Sequence, residues 1–176
     1  LVGPLYNAYV GNFRATQGID FPGMITDAIR CVRRGAYRHP YKYVLIDEYQ
    51  DMSRPRYELI RALREQSDFT LFCVGDDWQS IYRFAGSDIH LILDFADIWR
   101  DWGPTRMFQI TTTRRFRQSL IDASGAFVMQ DKSLYAKQLR NPSDKKDYSL
   151  KALGGATQEE RFDAIVEQLR KLPKAA

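Results

Sequence analysis

Two short runs of apolar residues stand out from an otherwise mixed chain, at positions 43–46 and 71–74. Neither run alternates with polar residues, a pattern typical of strands that are covered on both faces of a parallel sheet. Between them lies a segment with apolar side chains on one helical face, for which Ser53 is a candidate N-cap and Pro55 fits the first turn. The order strand, helix, strand predicts a right-handed βαβ unit.

Apolar residues recur at helical spacing in several further segments. We expect helices over 5–13, 21–32, 89–99, 120–128 and 162–172. Asp20 is a candidate cap for the second of these. In the fourth helix four apolar residues are expected to be buried, namely Leu120, Ile121, Phe127 and Val128.

A Gly-Pro pair at 103–104 breaks the pattern, and residues 107–110 after it predict a new strand. The sequence therefore divides into two α/β units, 1–104 and 105–176, the second of them cut short. The polar segment 141–147 is predicted to be a mobile loop.

The composition is that of an ordinary soluble globular protein, with 44% apolar and 27% charged residues among 176. No apolar run approaches the roughly 20 residues that cross a bilayer, so no membrane partner is expected. Two cysteines are too few for a disulfide framework or a four-cysteine zinc site. Cys73 lies inside an apolar run and is predicted to be a buried thiol. These features favour a cytoplasmic location.

The chain carries a modest positive charge of +4, which fits a polyanionic partner without requiring one. Basic residues cluster between 30 and 42 and again at Arg114, Arg115 and Arg117. Each cluster is compatible with a nucleic-acid contact or with a solvated helix end or loop.

Both apolar runs end in acidic residues, Asp47-Glu48 after the first and Asp76-Asp77 after the second. Ligands of open α/β sheets bind beyond the carboxyl ends of the strands, so the two acidic segments should lie side by side. Crowded carboxylates repel one another unless a cation is present, and Mg²⁺ suits one or two carboxylates with water or phosphate oxygen. The alternative is ordinary turn chemistry at a strand end.

Three longer strings then carry a family resemblance: VLIDEYQD at 44–51, FCVGDDWQSIYRFAGS at 72–87 and TTTRRF at 111–116. In this order and spacing they resemble motifs II, III and IV of the superfamily I, UvrD/Rep-like DNA helicases. The tryptophan after the acidic pair and the helix IDFPGMITDAI are most similar to the helicase IV branch. The resemblance covers about 5–130 and implies an α/β, RecA-like P-loop NTPase fold, a parallel sheet flanked by helices.

The resemblance implies a role in ATP hydrolysis for four residues. Asp47 would hold Mg²⁺ and Glu48 would orient and deprotonate the attacking water. Gln79 would sense the γ-phosphate, although a surface-loop role is the alternative. Arg115 would contact the γ-phosphate from the second RecA-like domain.

Two aromatic residues of the second string, Tyr82 and Phe84, are implied to stack on single-stranded DNA. The alternative for both is packing in the core, which is also our expectation for Trp78. Two positions depart from the family pattern. Arg114 replaces an aromatic residue that stacks on adenine, and Ala85 replaces an arginine of many relatives.

The phosphate-cradling loop Gly-x-x-x-x-Gly-Lys-Ser/Thr is absent, since none of the 11 glycines is followed by lysine. The family's adenine-reading segment and its motifs V and VI are missing as well. The sequence therefore predicts an incomplete RecA-like fold: the rear of the first domain, 1–104, and the opening of the second, 105–176. Alone it is not expected to hydrolyse ATP.

We interpret the chain as a fragment of an ATP-dependent DNA helicase that couples Mg-ATP hydrolysis to movement on single-stranded DNA and unwinding of duplex DNA. The 3′-to-5′ polarity comes from the resemblance, and the rest of the helicase chain is an expected partner. One alternative is a helicase-derived, non-catalytic DNA-binding module. Another is a metal-dependent nuclease, in which Asp47, Glu48, Asp76 and Asp77 bind two metal ions.

Overall fold

The computed structural model describes residues 2–16, 18–143 and 153–171, without the side chain of Arg14. Positions 144–147 of the predicted loop and Leu172 of the predicted last helix lie outside these ranges. The chain forms two compact units, Leu1–Met107 with Ser133–Tyr135, and Phe108–Lys132 with Ala136–Ala176. The assignment of these units to RecA-like domains stays a prediction.

The first unit contains five helices and two strands in the described ranges. They are α1 (Val2–Thr16), α2 (Phe21–Arg33), β1 (Tyr43–Ile46), α3 (Arg54–Gln66), β2 (Thr70–Cys73), α4 (His90–Leu93) and α5 (Phe95–Ile98). Single 3₁₀ turns follow the strands and α5, at Tyr49–Asp51, Asp77–Gln79, Arg83–Ala85 and Arg100–Trp102. The described part of the second unit contains α6 (Gln118–Val128) and α7 (Gln158–Arg170).

Strands β1 and β2 pair in parallel, with Ile46 opposite Cys73 at the end of the ladder and α3 as the connection. The predicted strand, helix, strand order is therefore confirmed. The prediction that both faces of the strands are covered is wrong for the described residues. Tyr43, Leu45 and Phe72 are exposed because the described elements pack on the opposite face alone.

The N-terminal ends of α2 and α3 follow the sequence prediction to different degrees. Asp20 caps α2, since its carboxylate accepts a hydrogen bond from Gly23 N at 2.7 Å. Ser53 occupies the N-cap of α3 and Pro55 its first turn, but the Ser53 side chain makes no capping hydrogen bond. Its backbone instead forms an isolated antiparallel bridge with Ser87.

Helices α2 and α3 pack against each other, and the end of α2 carries part of the basic cluster between 30 and 42. Arg33 of α2 pairs with Glu65 at 3.2 Å and Glu58 at 3.5 Å, both on α3. His39 is buried, and its Nε2 donates to the Leu63 carbonyl oxygen at 2.8 Å. Arg33 and His39 therefore have structural partners within the first unit, and the buried His39 is not part of a solvated helix end or loop.

The core of the first unit forms around Tyr49, Met52 and Leu91. The Trp99 indole Nε1 donates to the Tyr49 hydroxyl at 3.0 Å, so the phenol is buried with a polar partner. Burial raises the pKa of Tyr49 far above its ordinary value. Burial also raises the pKa of the Cys73 thiol to about 12, although Cys73 is half-buried and not fully buried as predicted.

The helix predicted over 89–99 is broken at Asp94, where φ is −100° and ψ is 25°. Tyr135 explains the break, because its hydroxyl donates to the Leu93 carbonyl oxygen at 2.6 Å. In an uninterrupted helix that carbonyl would accept from the Asp97 amide, which here bonds Asp94 instead. Sequence periodicity could not show this because Tyr135 lies 42 residues away.

The second unit departs from prediction at two places. Residues 107–110 form no strand. In the described part of this unit, strand-like pairing is limited to one isolated parallel bridge between Thr112 and Arg140. Helix α6 forms as expected, but Phe127 is exposed, Leu120 and Val128 are half-buried, and Ile121 alone is buried. The described elements of this unit provide no layer that could cover the remaining apolar side chains.

Two further observations concern the helices. Helix α7 begins with a capping box in which Thr157 and Glu160 bond each other's backbone amides. Across the described ranges, none of the helices is both long enough and apolar enough to span a bilayer.

We predict that Tyr49→Phe lowers the free energy of unfolding by about 1–3 kcal/mol, because the buried Trp99 N–H loses its acceptor. Urea unfolding followed by tryptophan fluorescence measures the loss. Tyr37→Phe is the matched control, since its hydroxyl bonds Tyr41 on the exposed surface and its removal should cost under about 0.5 kcal/mol. Equal losses in the two variants would contradict the prediction.

Candidate functional site

The two acidic segments meet where the parallel strands end. The Val74 amide donates to Ile46 O at 2.8 Å, and the Tyr49 amide donates to Val74 O at 2.9 Å. These bonds extend the pairing beyond Cys73 and hold Glu48 next to the segment that begins at Gly75. The predicted proximity of the two strand ends is therefore confirmed.

Glu48 has a left-handed backbone, with φ 50° and ψ 45°, which among the described residues no other non-glycine shares. Its amide donates to Asp47 Oδ1 at 2.9 Å, and the next residue, Tyr49, enters the core. Such a conformation costs a non-glycine residue energy and is found where the surroundings impose it. Asp47 and Glu48 are both exposed. We call the surface at the carboxyl ends of the two strands, which includes Asp47, Glu48 and Gln79, the mouth of the site.

Gln50 links the two acidic segments, and sequence reasoning missed it. It is 2% exposed, and its Nε2 donates to Glu48 Oε2 at 2.7 Å. Its Oε1 accepts from the Asp76 amide at 3.0 Å. The sequence gives no sign of this role because a glutamine between acidic residues usually lies at the surface.

Gln79 lies on the same side of the site as Asp76. Its Nε2 donates to Asp76 Oδ2 at 2.7 Å, while Asp76 Oδ1 accepts from the Trp78 amide at 3.1 Å. Gln79 is exposed, so its carboxamide is accessible to a ligand at the mouth. Of the predicted set, Glu48 and Gln79 are therefore connected through Gln50 and Asp76, and Asp47 adjoins Glu48 in the chain.

Asp77 does not belong to the exposed mouth, contrary to the prediction. It is 3% exposed, and its Oδ2 accepts from the Tyr135 amide at 2.7 Å. The Trp78 indole Nε1 donates to the Tyr135 carbonyl at 3.0 Å, so Trp78 is half-buried with a polar partner. Asp77 and Trp78 thus anchor Ser133–Tyr135 on the first unit.

Tyr82 and Phe84 are exposed, so the alternative that they pack in the core is wrong. Phe84 is 87% exposed and Tyr82 46%, with their ring centroids 6.0 Å apart. The loop that presents them is fixed, because Tyr82 O accepts from the Ala85 amide and from Ser87 Oγ, each at 2.9 Å. An ion pair between Arg54 and Asp88, at 2.6 Å, ties the end of this loop to α3.

Arg114 and Arg115 belong to the second unit and are exposed. The backbone around them is held by Thr113 N, which donates to Arg140 O at 2.9 Å. A cavity of about 520 Å³ adjoins them, lined by Arg114, Arg115, Phe116, Arg117, Asn141, Pro142 and Ser143. Three arginines and no acidic residue make this lining attractive to anions.

The donor groups at the mouth suit one hard cation better than two. In the ranges that the structure describes, no three His, Cys, Asp or Glu residues come close enough together to hold a metal ion. Asp47 supplies one exposed carboxylate, and Mg²⁺ commonly binds one or two carboxylates with the remaining positions filled by water and phosphate. A two-metal nuclease centre fits poorly, because Asp77 already bonds the Tyr135 amide.

Comparison with known proteins gives a consistent family. Residues 1–98 match the UvrD/REP helicase N-terminal domain. The chain is 36% identical to DNA helicase IV of Escherichia coli (strain K12) over 172 residues, which are 96% of this chain and 24% of that protein. It is 31% identical over 149 residues to the ATP-dependent DNA helicase UvrD1 of Mycobacterium tuberculosis (strain ATCC 25618 / H37Rv), covering 78% of this chain and 19% of that protein.

A third relative is the ATP-dependent DNA helicase PcrA of Bacillus subtilis (strain 168), 28% identical over 149 residues, with 82% of this chain and 20% of the relative covered. The chain thus spans about a quarter or less of the length of these relatives. The relatives named as ATP-dependent DNA helicases are enzymes. Since the family match covers more than half of the residues and includes both acidic strand ends, the chain belongs to the UvrD/REP helicase family.

Proposed function

We propose that this chain is part of an ATP-dependent DNA helicase and supplies the groups that bind Mg²⁺ and activate water for ATP hydrolysis. The observation that carries the proposal is the meeting of Glu48 and Asp76 at two parallel strand ends, joined by the buried Gln50. In open α/β folds, ligands bind beyond the carboxyl ends of the parallel strands, where these side chains lie. The incomplete RecA-like fold described above is part of the same proposal.

Within this proposal, each exposed polar group at the mouth has one role. Asp47 holds Mg²⁺, which neutralises charge on the β- and γ-phosphates when it is bound. Glu48 accepts the proton of the attacking water, and Gln79 contacts the γ-phosphate with a carboxamide that both donates and accepts. The phosphate-cradling loop comes from another part of the helicase, so this chain alone does not hydrolyse ATP.

The second unit contributes the arginines in this proposal. Arg115 contacts the γ-phosphate and offsets negative charge in the transition state, while Arg114 stacks on adenine through its planar guanidinium. The basic lining around both residues supports an anionic ligand.

Tyr82 and Phe84 are proposed to contact single-stranded DNA by stacking on its bases. Exposed aromatic rings on a fixed loop suit this role, because stacking tolerates every base and the loop need not be ordered on binding. A motor that moves along DNA of any sequence needs such a contact. The proposed movement is 3′-to-5′, as in the family that the chain resembles.

We predict that Glu48→Gln in the full-length helicase lowers kcat for DNA-stimulated ATP hydrolysis by about 10²- to 10⁴-fold, because the amide cannot accept the proton. The affinity for Mg-ATP should change less than threefold, since Gln keeps the size of Glu48. Phosphate release and nucleotide binding measure the two quantities.

Glu58→Gln is the matched control, because Glu58 lies on α3 and pairs with Arg33 at the surface. It should leave kcat within a factor of two of the wild type. If Glu48→Gln turns over ATP at the wild-type rate, the hydrolytic role of Glu48 is wrong. Cleavage of DNA with Mg²⁺ and no nucleotide would instead favour a nuclease.

We predict that Phe84→Ala weakens binding of single-stranded DNA by about 5- to 150-fold, the equivalent of losing one stacked base at about 1–3 kcal/mol. Fluorescence anisotropy with labelled oligonucleotides of thymine and of mixed sequence measures the affinity. The loss should be similar for both oligonucleotides, because stacking does not depend on the base.

The control for this experiment is Phe21→Ala, since Phe21 is 84% exposed but lies at the start of α2 rather than on the loop of Phe84. It should change DNA affinity less than twofold. A loss below twofold for Phe84→Ala, or equal losses in both variants, would show that Phe84 makes no stacking contact.

A further inference from the structure

We propose that Gln50 is a positioning residue that sets the Glu48 carboxylate and ties it to the loop of Gln79. This inference rests on the proposed function, in which Glu48 activates water and Gln79 contacts the γ-phosphate. Gln50 itself touches neither nucleotide nor water in the proposal. It acts through the two side chains at the mouth.

The first support is the burial of Gln50 together with a hydrogen-bond partner at each end of its carboxamide. A carboxamide taken out of water costs free energy unless its donors and acceptor are bonded. Here the NH₂ group donates to Glu48 Oε2 at 2.7 Å, and Oε1 accepts from the Asp76 amide at 3.0 Å. The Ser80 hydroxyl also donates to the backbone carbonyl oxygen of Gln50 at 3.4 Å, which holds the main chain at this position.

The chemistry of these partners fixes the orientation of the carboxamide. The Asp76 amide can only donate, so the oxygen of Gln50 must face it. The Glu48 carboxylate oxygen lies on the other side as an acceptor, so the NH₂ group must face it. A flipped carboxamide would place donor against donor and acceptor against acceptor. Neither glutamate nor an apolar residue could satisfy both partners at this position.

The second support is the close approach of Gly75 to Gln50. A Cβ atom at position 75 would lie 2.9 Å from Gln50 Oε1 and 3.1 Å from Gln50 N. Both distances are shorter than ordinary contacts, so a side chain at position 75 would push the loop away from the carboxamide. The absence of a side chain lets the Asp76 amide reach its acceptor.

The third support is that the hydrogen bonds continue to Gln79. The Asp76 carboxylate accepts from Gln79 Nε2 at 2.7 Å and from the Trp78 amide at 3.1 Å. A sequence of three contacts therefore joins Glu48, Gln50, Asp76 and Gln79. We call these four residues the Gln50 relay. If Gln79 moves when it binds phosphate, these hydrogen bonds would also displace the Glu48 carboxylate.

The backbone of Glu48 is fixed in a left-handed conformation, so the Gln50 relay affects the position of its side chain alone. Glu48 is exposed, and its carboxylate accepts a hydrogen bond from the buried Gln50 side chain. Without that donor the exposed side chain would sample other rotamers, whereas its backbone would stay fixed by Tyr49 in the core. Losing Gln50 should therefore misplace the base without removing it.

The central experiment compares Gln50→Met and Gln50→Glu in the full-length helicase. Gln50→Met removes the donor to Glu48, and Gln50→Glu puts in its place a second carboxyl group that repels the Glu48 carboxylate or shares a proton with it. We expect kcat to fall by roughly 10- to 100-fold in both variants, with KM for ATP within twofold of wild type. Gln50→Glu retains an acceptor for the Asp76 amide. Hydrogen exchange should therefore show this amide protected in wild type and Gln50→Glu but not in Gln50→Met.

Gln66→Met is the matched control, because Gln66 is a bridging glutamine remote from the strand ends. Its Nε2 donates to the Val32 and Tyr37 carbonyls at 3.1 and 2.6 Å, and its Oε1 accepts from the His39 amide at 3.1 Å. We expect this variant to melt at a lower temperature and to keep kcat within twofold below that temperature. Equal losses of kcat in Gln66→Met and Gln50→Met would reduce Gln50 to a structural role and overturn the proposal.

A double-mutant cycle separates this inference from the proposed function. If Glu48 is the base and Gln50 acts through it, Gln50→Met should lower kcat less than twofold further in a Glu48→Gln background. Full activity of Glu48→Gln would contradict the proposed function. Loss of activity in Glu48→Gln with a normal rate in Gln50→Met, or fully additive losses, would overturn the relay alone.

The contact can also be tested without substituting Gln50, which matters if the Gln50 variants fold poorly. In the present chain, Glu48→Gln replaces a charged acceptor of the Gln50 NH₂ group by a neutral one. The NMR signals of that NH₂ group should move and exchange faster with solvent, whereas those of Gln66 should stay in place. Unchanged Gln50 signals would show that the contact is absent, and the proposal would then be wrong.

Discussion

The arrangement of the site depends on the burial of Tyr49 and Gln50 immediately after two exposed acidic residues. Tyr49 enters the core against Trp99, and Gln50 turns toward the end of the second strand. With both side chains fixed, the backbone at Glu48 has to take a left-handed turn. The hydrophobic core and the chemistry at the mouth are therefore set by adjacent residues of one 3₁₀ turn.

Features that depend on local sequence were predictable from it. The two strands, the Asp20 cap and the acidic strand ends each follow from short patterns, and parallel pairing brings the ends together. Features that depend on distant partners were not. The roles of Gln50 and Asp77 come from the residues they meet across the fold, and the break at Asp94 comes from the Tyr135 hydroxyl. The exposed face of the strands was not predicted for a related reason. A run of apolar residues predicts that both faces of a strand are buried, but it does not show whether other elements cover them.

The loop after the second strand combines several tasks within a dozen residues. Asp76 belongs to the Gln50 relay, while Asp77 and Trp78 anchor the segment around Tyr135. Further along, Tyr82 and Phe84 present their rings to solvent. Since neighbouring residues in this loop point to different parts of the first unit, a displacement of its backbone would affect them together.

The left-handed backbone at position 48 also limits which amino acids evolution or a mutational library could place there. Threonine, valine and isoleucine are disfavoured in this conformation by their branched Cβ atoms, whereas glycine, asparagine and aspartate adopt it at lower cost. A survey of all substitutions at this site would therefore mix lost chemistry with misfolding for the branched residues. For glycine and asparagine, by contrast, the left-handed backbone is tolerated, so these variants would remove the carboxylate with the least disturbance of the fold.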